Sequence, residues 1–188
     1  MRLPADGPLS LRCHPATPAL GLRTVSVQVA AAADGGLRLA FRLGGDLARL
    51  RVPAAGIPAR SDELWRHTCG EAFVAAEGDP AYREFNFSPS GAWAAYAFAA
   101  YRQPALPPGG PPPAVICRRD GDDLLLDVML AGAWLPAGSA RELGLTLVAE
   151  ESGDDGAASL SYWALRHTAE RPDFHRRDSF AVTLPALP

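Results

Sequence analysis

The chain of 188 residues contains no lysine, so all 18 of its basic side chains are arginines. These are outnumbered by 21 aspartates and glutamates, and the formal net charge at pH 7 is −3. A protein that binds nucleic acid non-specifically usually carries a basic stripe, and the sequence has none. We therefore expect no nucleic-acid partner. The heavy use of alanine, proline and glycine together with arginine indicates a genome rich in G and C.

Cysteine is also scarce: Cys13, Cys69 and Cys117 are far apart and form no CxxC pair, which weighs against a zinc site or a redox dithiol. Their odd number and wide spacing predict free thiols. The N-terminal segment MRLPADGPLSLRCHP has no apolar stretch of the kind found in secretory signals. No run approaches the ~20 apolar residues that span a bilayer. These absences predict a cytoplasmic protein with no membrane partner.

Helical periodicity is nearly absent. Short alternating or apolar runs recur instead between turn clusters rich in glycine, proline and aspartate. They predict an all-β protein, an antiparallel β-sandwich of roughly ten strands. Its length suits one domain over residues 1–188, with a stiff Pro/Gly-rich loop at 103–113. The predicted strands cover residues 23–32, 37–43, 47–52, 70–78, 81–88, 91–102, 114–121, 122–135, 142–152, 158–167 and 178–184.

The segment YREFNFSPSGAW, residues 82–93, combines two kinds of strand face. Alternation directs Tyr82, Glu84 and Asn86 to one side, and Phe85 and Phe87 to the other. The phenylalanine side is typical of a core. The opposite side carries a ring, a carboxylate and an amide, which are the groups that bind polar ligands.

Two longer blocks around this segment resemble a known group of proteins. ELWRHTCGEAFVAAEGDPAYREFNFSPSGAWAAYAF and SYWALRHTAERPDFHRRDSF are similar to the DOMON-like group of bacterial β-sandwich proteins. That group is related to family 9 carbohydrate-binding modules, in which a tryptophan-containing segment leads to an acidic residue and then to a YxEFNxSP-like strand. The matching positions here are Trp65, Glu71 and 82–89. The resemblance covers about residues 20–184.

The resemblance implies a binding domain without catalytic activity. Its ligand would be small and polar, most plausibly a saccharide or a sugar-derived metabolite, and no cofactor is expected. Aromatic faces would stack on the sugar, while carboxylates and amides would bond to its hydroxyl groups. The loop at 167–178 would form one wall. The candidate ligand-binding residues are Trp65, Glu71, Tyr82, Glu84, Asn86, Trp163, His175 and Arg177.

Other interpretations of the same residues stay open. The aromatic and acidic face could instead meet another protein. Glu71 and Glu84 could form a glycosidase pair, although such enzymes usually need a deep cleft built from long loops. In a purely structural interpretation, Trp65 packs a loop onto the sheet while Glu84 pairs with Arg83 or Arg102.

Three further constellations have a functional and a structural interpretation each. Asp173, His175 and Asp178 could ligate a metal or form a polar corner before the last strand, with Asp173 in an Asx turn.

A haem-binding DOMON domain would need an axial thioether ligand. Met129 is the internal candidate, with His67 or His167 as its partner, but we expect Met129 to fill the core. Cys69 could be a nucleophile beside His67, but we expect it to pack inward.

Overall fold

The computed structural model describes residues 7–107, 109–138 and 140–184, and it confirms the all-β prediction. Twelve strands pair antiparallel, and the described residues contain no helix beyond three 3₁₀ turns. The strands are β1 (Leu9–Cys13), β2 (Leu22–Ala31), β3 (Leu37–Gly45), β4 (Cys69–Ala76), β5 (Tyr82–Phe87), β6 (Trp93–Ala100), β7 (Gln103–Ala105), β8 (Ala114–Asp120), β9 (Asp123–Leu130), β10 (Arg141–Ser152), β11 (Ala158–Ala164) and β12 (Val182–Leu184).

The strands form two layers. Their order along the hydrogen-bonded path is β7-β6-β5-β4-β10-β11-β1-β2-β3-β9-β8, and β12 adds to β10. Strand β1 pairs with β11 on one side and with β2 on the other, so it joins the layers. We call β4–β7, β10 and β11 the front sheet, and β2, β3, β8 and β9 the back sheet.

The core lies between these layers. A Cβ atom added to Gly70 of β4 would stand 3.1 Å from the ring of Phe41 in β3, so glycine lets the two sheets approach closely here. Phe85 and Phe87 of β5 are fully buried in the core, as their parity predicts. The ring of Phe85 packs edge-on against Trp134, with 6.1 Å between centroids. Because one side of β5 is committed to this core, its other side faces outward from the front sheet.

Most predicted strands are confirmed to within a few residues. The alanine-rich run is a strand, β6, because it pairs with β5 on one edge and with β7 on the other. The strand predicted at 47–52 is wrong: the segment is a turn, attached to β10 through a single bridge between Leu50 and Glu151. The last strand is shorter than predicted because Arg177–Ser179 forms a 3₁₀ turn before it.

The structure adds two strands that the sequence did not indicate. Strand β1 is the link between the sheets. Strand β7 occupies the start of the predicted Pro/Gly-rich loop, of which Pro108 lies outside the described residues. The prediction that Met129 fills the core is wrong: Leu126, Val128 and Leu130 of β9 point inward, so Met129 points outward and is 46% exposed.

The structure agrees with the prediction of free thiols, because none of the three cysteines is in a disulfide. Across residues 7–107, 109–138 and 140–184, no helix has the length and apolar character needed to cross a membrane. In the same ranges, no three side chains of the metal-ligating types are grouped so that they could hold an ion.

Candidate functional site

A cavity of about 410 Å³ lies on the outer side of the front sheet, outside the sandwich core. Strand alternation builds it, because the even-numbered residues of β5, β6, β10 and β11 and the odd-numbered residues of β4 share this side. The chain after β11 folds over it and supplies the remaining wall. The lining residues are Trp65, Glu71, Phe73, Glu84, Tyr96, Phe98, Arg102, Val148, Tyr162, Pro172, Phe174 and His175.

Two glutamates form the floor of this cavity. Glu71 of β4 is 3% exposed and Glu84 of β5 is 6% exposed. The Thr146 hydroxyl donates a hydrogen bond of 2.8 Å to Glu71 Oε2, and the Cys69 thiol approaches Glu71 Oε1 at 3.6 Å. In the residues that the structure describes, no arginine or histidine forms an ion pair with Glu71. Carboxylates buried in this way are costly to ionise.

This environment changes the acidity of both groups. Burial raises the pKa of Glu71 to about 8, and the nearby Glu84 charge contributes to the same shift. Burial also raises the pKa of Glu84, although the hydrogen bond from Asn86 and the charge of Arg102 oppose that shift. The pair therefore holds at least part of a proton at neutral pH. A ligand that supplies positive charge or hydrogen-bond donors would favour its ionised form.

Asn86 lies next to these carboxylates and is fully buried. Its Nδ2 donates a 2.8 Å hydrogen bond to Glu84 Oε1, and its backbone stands opposite Glu71 in the β4–β5 register. Its Oδ1 is buried and has no hydrogen-bond partner among the described residues. Buried amide oxygens are normally paired, so this atom is an unsatisfied acceptor next to the carboxylates, while Asn86 itself does not line the cavity.

His175 enters the cavity from the chain that follows β11. The backbone N–H of Arg102 donates to the Tyr82 hydroxyl at 3.1 Å, and the same hydroxyl is hydrogen-bonded to His175 Nδ1, 2.9 Å away. Burial, assisted by the charge of Arg102, lowers the pKa of His175 to about 4. The imidazole is therefore neutral at pH 7, and its Nε2 lies 3.7 Å from Glu84 Oε2.

The side walls are aromatic. Trp65, in the 3₁₀ turn Leu64–Arg66, is 39% exposed and meets the ring of Tyr96 edge-on at 6.1 Å. The Tyr96 hydroxyl donates to Asp62 at 2.9 Å, which holds this ring at the rim. Phe98 stacks on Tyr82, with 4.8 Å between centroids. Rings of this kind offer the flat, polarisable surfaces on which a sugar's C–H groups pack.

An ion pair fastens the loop that covers the cavity. Arg102 donates to Asp173 Oδ1 at 3.1 Å, and the Tyr101 hydroxyl donates to Asp173 Oδ2 at 2.7 Å. The backbone N–H of His175 donates to Asp173 Oδ1, which is the predicted Asx turn. Arg102 is therefore engaged with Asp173, while its backbone, with φ of 52°, makes the turn between β6 and β7.

The structure brings together six of the eight candidate residues. Trp65, Glu71, Glu84 and His175 line the cavity, and Tyr82 and Asn86 support the groups that do. Their role as ligand contacts stays a prediction.

Trp163 and Arg177 do not line the cavity. Trp163 has the opposite parity in β11, lies in the core and donates from Nε1 to the Ser161 hydroxyl at 3.1 Å. Arg177 pairs with Glu142 and stacks over Phe180, 4.8 Å from the ring centroid. Both are corrections to the predicted site.

The sequence interpretation missed several lining residues, among them Tyr96, Phe98, Tyr162 and Phe174. Parity on β6 and β11 is the signal that could have marked the first three.

The purely structural interpretation proposed Arg83 or Arg102 as the partner of Glu84, and the structure gives a different outcome for each. Arg83 lies on the other side of β5 and donates to the carbonyl of Trp134, whereas the charge of Arg102 does reach Glu84.

The polar-corner interpretation of the segment after β11 is confirmed for Asp178, which pairs with Arg176. Cys69 is buried as expected, and burial together with Glu71 raises its thiol pKa well above the ordinary value. Such a thiol is protonated and not activated as a nucleophile.

His67 bonds to Glu150 at 2.7 Å, and His167 bonds to the carbonyl of Arg12. Both flank the front sheet, whereas Met129, the candidate haem ligand, lies on the back sheet.

No protein-family model and no curated protein sequence matches the chain. Among solved structures, a "putative carbohydrate-binding protein" from Bacteroides uniformis is similar with a TM-score of 0.65 and 18% identity, over 95% of this chain and 84% of its own. A family 9 carbohydrate-binding module from Caldicellulosiruptor kristjanssonii, in complex with cellotriose, is similar with a TM-score of 0.49 and 10% identity. The match covers 84% of this chain and 71% of the module's own. At such identities the likeness shows the fold alone.

Proposed function

We propose that this protein binds a saccharide or a sugar-derived metabolite in the cavity on the front sheet, without catalysing a reaction. The observation that carries the proposal is the pairing of aromatic walls with two buried carboxylates on one side of a sheet. Sugars are recognised by this combination, because rings cover their C–H faces and acceptors bond to their hydroxyl groups. A volume of about 410 Å³ suits a mono- or disaccharide.

The hydrogen-bond partners of the two carboxylates favour binding over glycoside hydrolysis, whereas the raised pKa of Glu71 is compatible with either. Glu71 accepts from Thr146 and lies beside Cys69, and Glu84 accepts from Asn86, so both are held by neighbours of their own strands or of β10. A hydrolase needs one carboxyl to deliver a proton to the leaving oxygen while the other acts on the anomeric carbon. The Bacteroides neighbour, which shares the fold, is described in terms of carbohydrate binding, and this agrees with the proposal at the level of fold.

The test is isothermal titration calorimetry with a panel of mono- and disaccharides. We expect at least one saccharide to bind the wild-type protein, and the Trp65→Ala variant to bind it at least about tenfold more weakly, because a stacking face is lost. Trp65 is at the rim and 39% exposed, so this variant should fold normally. Leu106→Ala, which changes an exposed side chain outside the cavity, is the matched control. A panel without any binding saccharide contradicts the proposal.

A further inference from the structure

The cavity floor has an excess of acceptors over donors. Glu71 and Glu84, which line the cavity, and the Oδ1 atom of Asn86, which lies behind them, are all acceptors and all at least nine-tenths buried. The donors that face them, from Thr146, Cys69 and the amide of Asn86, are already used by the two carboxylates. The Nε2 atom of His175 lies 3.7 Å from Glu84 Oε2, which is beyond hydrogen-bond distance. The floor therefore best fits a ligand group that donates and does not accept.

The floor also has no ion-paired cation: the charge of Arg102 reaches Glu84, but the guanidinium of Arg102 is paired with Asp173. His175 is neutral near pH 7, as described above. No other cationic side chain lines the cavity among the described residues. Two carboxylates that approach one another in an apolar enclosure, without a cation between them, are unfavourable unless they hold a proton or receive a positive ligand.

The walls are suited to a cation as well as to a sugar ring. Trp65, Phe73, Tyr96, Phe98 and Tyr162 all line the same cavity. The faces of aromatic rings carry negative electrostatic potential, and they attract ammonium groups most strongly where water is excluded. A protonated amine has three N–H donors and no acceptor, so it matches the floor in hydrogen bonding and in charge.

From these three features we propose that the ligand is an amino sugar, bound with its protonated amine on Glu71 and Glu84 and with its ring between the aromatic walls. This inference rests on the proposed saccharide-binding function and narrows it to a cationic saccharide. The aromatic walls are the feature independent of the carboxylates, because their ring faces attract a cation whatever the charge of the glutamates.

The experiment is calorimetry at pH 6.5 with four probes: glucosamine, glucose, N-acetylglucosamine and cyclohexylamine. We expect glucosamine to bind the wild-type protein at least about tenfold more tightly than the other three, since a charge-assisted contact adds roughly that factor. N-acetylglucosamine keeps the ring and the nitrogen but loses the charge. Cyclohexylamine keeps a charged amine on a ring but loses the hydroxyl groups.

Variants locate the effect. Glu84→Gln removes one charge from the floor with little change of shape, and it should reduce the preference for glucosamine over glucose to within about twofold. Glu77→Gln makes the same charge change on an exposed residue that does not line the cavity, and it should keep the full preference. The comparison among ligands of the wild-type protein needs no variant, so the test survives if Glu84→Gln fails to fold.

The outcomes separate the two proposals. If glucose or N-acetylglucosamine binds as tightly as glucosamine, saccharide binding stands and the amino-sugar inference is wrong. If cyclohexylamine binds as tightly as glucosamine, the cavity recognises an amine without the sugar, and the inference is again wrong. If no saccharide binds at all, the proposed function itself is contradicted. A preference for glucosamine that is equal in Glu77→Gln and Glu84→Gln also overturns the assignment of the amine to this floor.

Discussion

Carboxylates point outward from both sheets of the sandwich, but the two sheets treat them differently. On the back sheet, Asp127 lies beside Arg38 and Arg118, each at 3.7 Å, and Arg42 pairs with Asp120 at 2.8 Å. These arginines are about half exposed. On the front sheet, the outward carboxylates Glu71 and Glu84 are buried under an aromatic wall and a covering loop, and Glu71 has no cationic partner among the described residues.

The difference indicates where a ligand belongs. Solvated ion pairs contribute little to stability and leave no unpaired charge for a ligand to neutralise. A buried, acceptor-rich floor lowers the stability of the empty protein, and such a cost is usually associated with a binding or catalytic site. The outer side of the front sheet is therefore the functional side of the molecule in our account, and the back sheet is a solvated support.

The largest expected effect comes from the core side of β5. Phe85→Ala should lower the free energy of unfolding by about 3–5 kcal/mol, because it deletes a fully buried ring that packs on Trp134. Chemical denaturation measures this value. A loss below about 1 kcal/mol would mean that β5 does not present its phenylalanines to the core, and the assignment of the two sides of the front sheet would be reversed.

The next effect is a dependence of stability on pH. Glu71 has a pKa of about 8 in the folded protein against an ordinary value of 4.5, so folding retains a proton that the unfolded chain has lost. Stability should therefore fall as the pH rises toward 8 and level off above it. His175, lowered from 6.5 to about 4, has the opposite effect but acts only below about pH 6.5.

Between pH 6.5 and 8, the free energy of unfolding should therefore fall by about 2 kcal/mol through Glu71 alone. Urea titrations across this interval test the slope. Glu71→Gln should flatten it, whereas Asp127→Asn, on the back sheet, should leave it unchanged. An equal slope in Glu71→Gln and wild type would show that Glu71 is ionised in the folded protein at neutral pH.

Glu84→Ala should cost less stability than Phe85→Ala, about 1–3 kcal/mol, because Nδ2 of the buried Asn86 would lose its acceptor. Removing Glu84 also removes its repulsion with Glu71, and this opposes the loss of stability. Urea titrations at pH 7 and pH 5.5 separate the two effects. A loss below about 1 kcal/mol at pH 7, together with a loss of about 1–3 kcal/mol at pH 5.5, would assign the difference between the two pH values to charge. Complete unfolding of the variant would show that the network is structural.

The smallest effect is expected on the back sheet. Asp127→Asn removes the partner that Arg38 and Arg118 share at the surface, and it should change the free energy of unfolding by less than about 1 kcal/mol. Added salt should reduce even this difference, because exposed pairs are screened. A salt-insensitive loss above 2 kcal/mol would remove the contrast between the two sheets.

Much of this architecture follows from local patterns in the sequence. Alternation in β5 correctly placed Phe85 and Phe87 in the core and Glu84 and Asn86 on the other side. Turn residues marked most strand ends. Trp163 was misplaced because both sides of β11 carry apolar residues, and only the pairing of β11 with β10 determines which side meets the core.

Contacts distant in sequence account for the rest. The loop over the cavity is held by Arg102 on Asp173, and the 3₁₀ turn at Arg177–Ser179 directs Arg177 to Glu142 instead of to a ligand. Neither contact has a local pattern that predicts it. The burial of Glu84, and hence its raised pKa, depends on this loop, so the sequence indicated the residues of the floor but not their electrostatic state.

The four tryptophans can report directly whether a saccharide binds in the cavity on the front sheet. Trp93, Trp134 and Trp163 are buried in the core between the sheets, whereas Trp65 stands at the rim of the cavity. In a ¹⁵N-labelled protein, the four indole N–H signals can be followed while the tightest-binding saccharide of the calorimetric panel is added. We expect a saturable shift of the Trp65 signal, with the other three nearly unchanged. Saturable binding that leaves the Trp65 signal in place would contradict it.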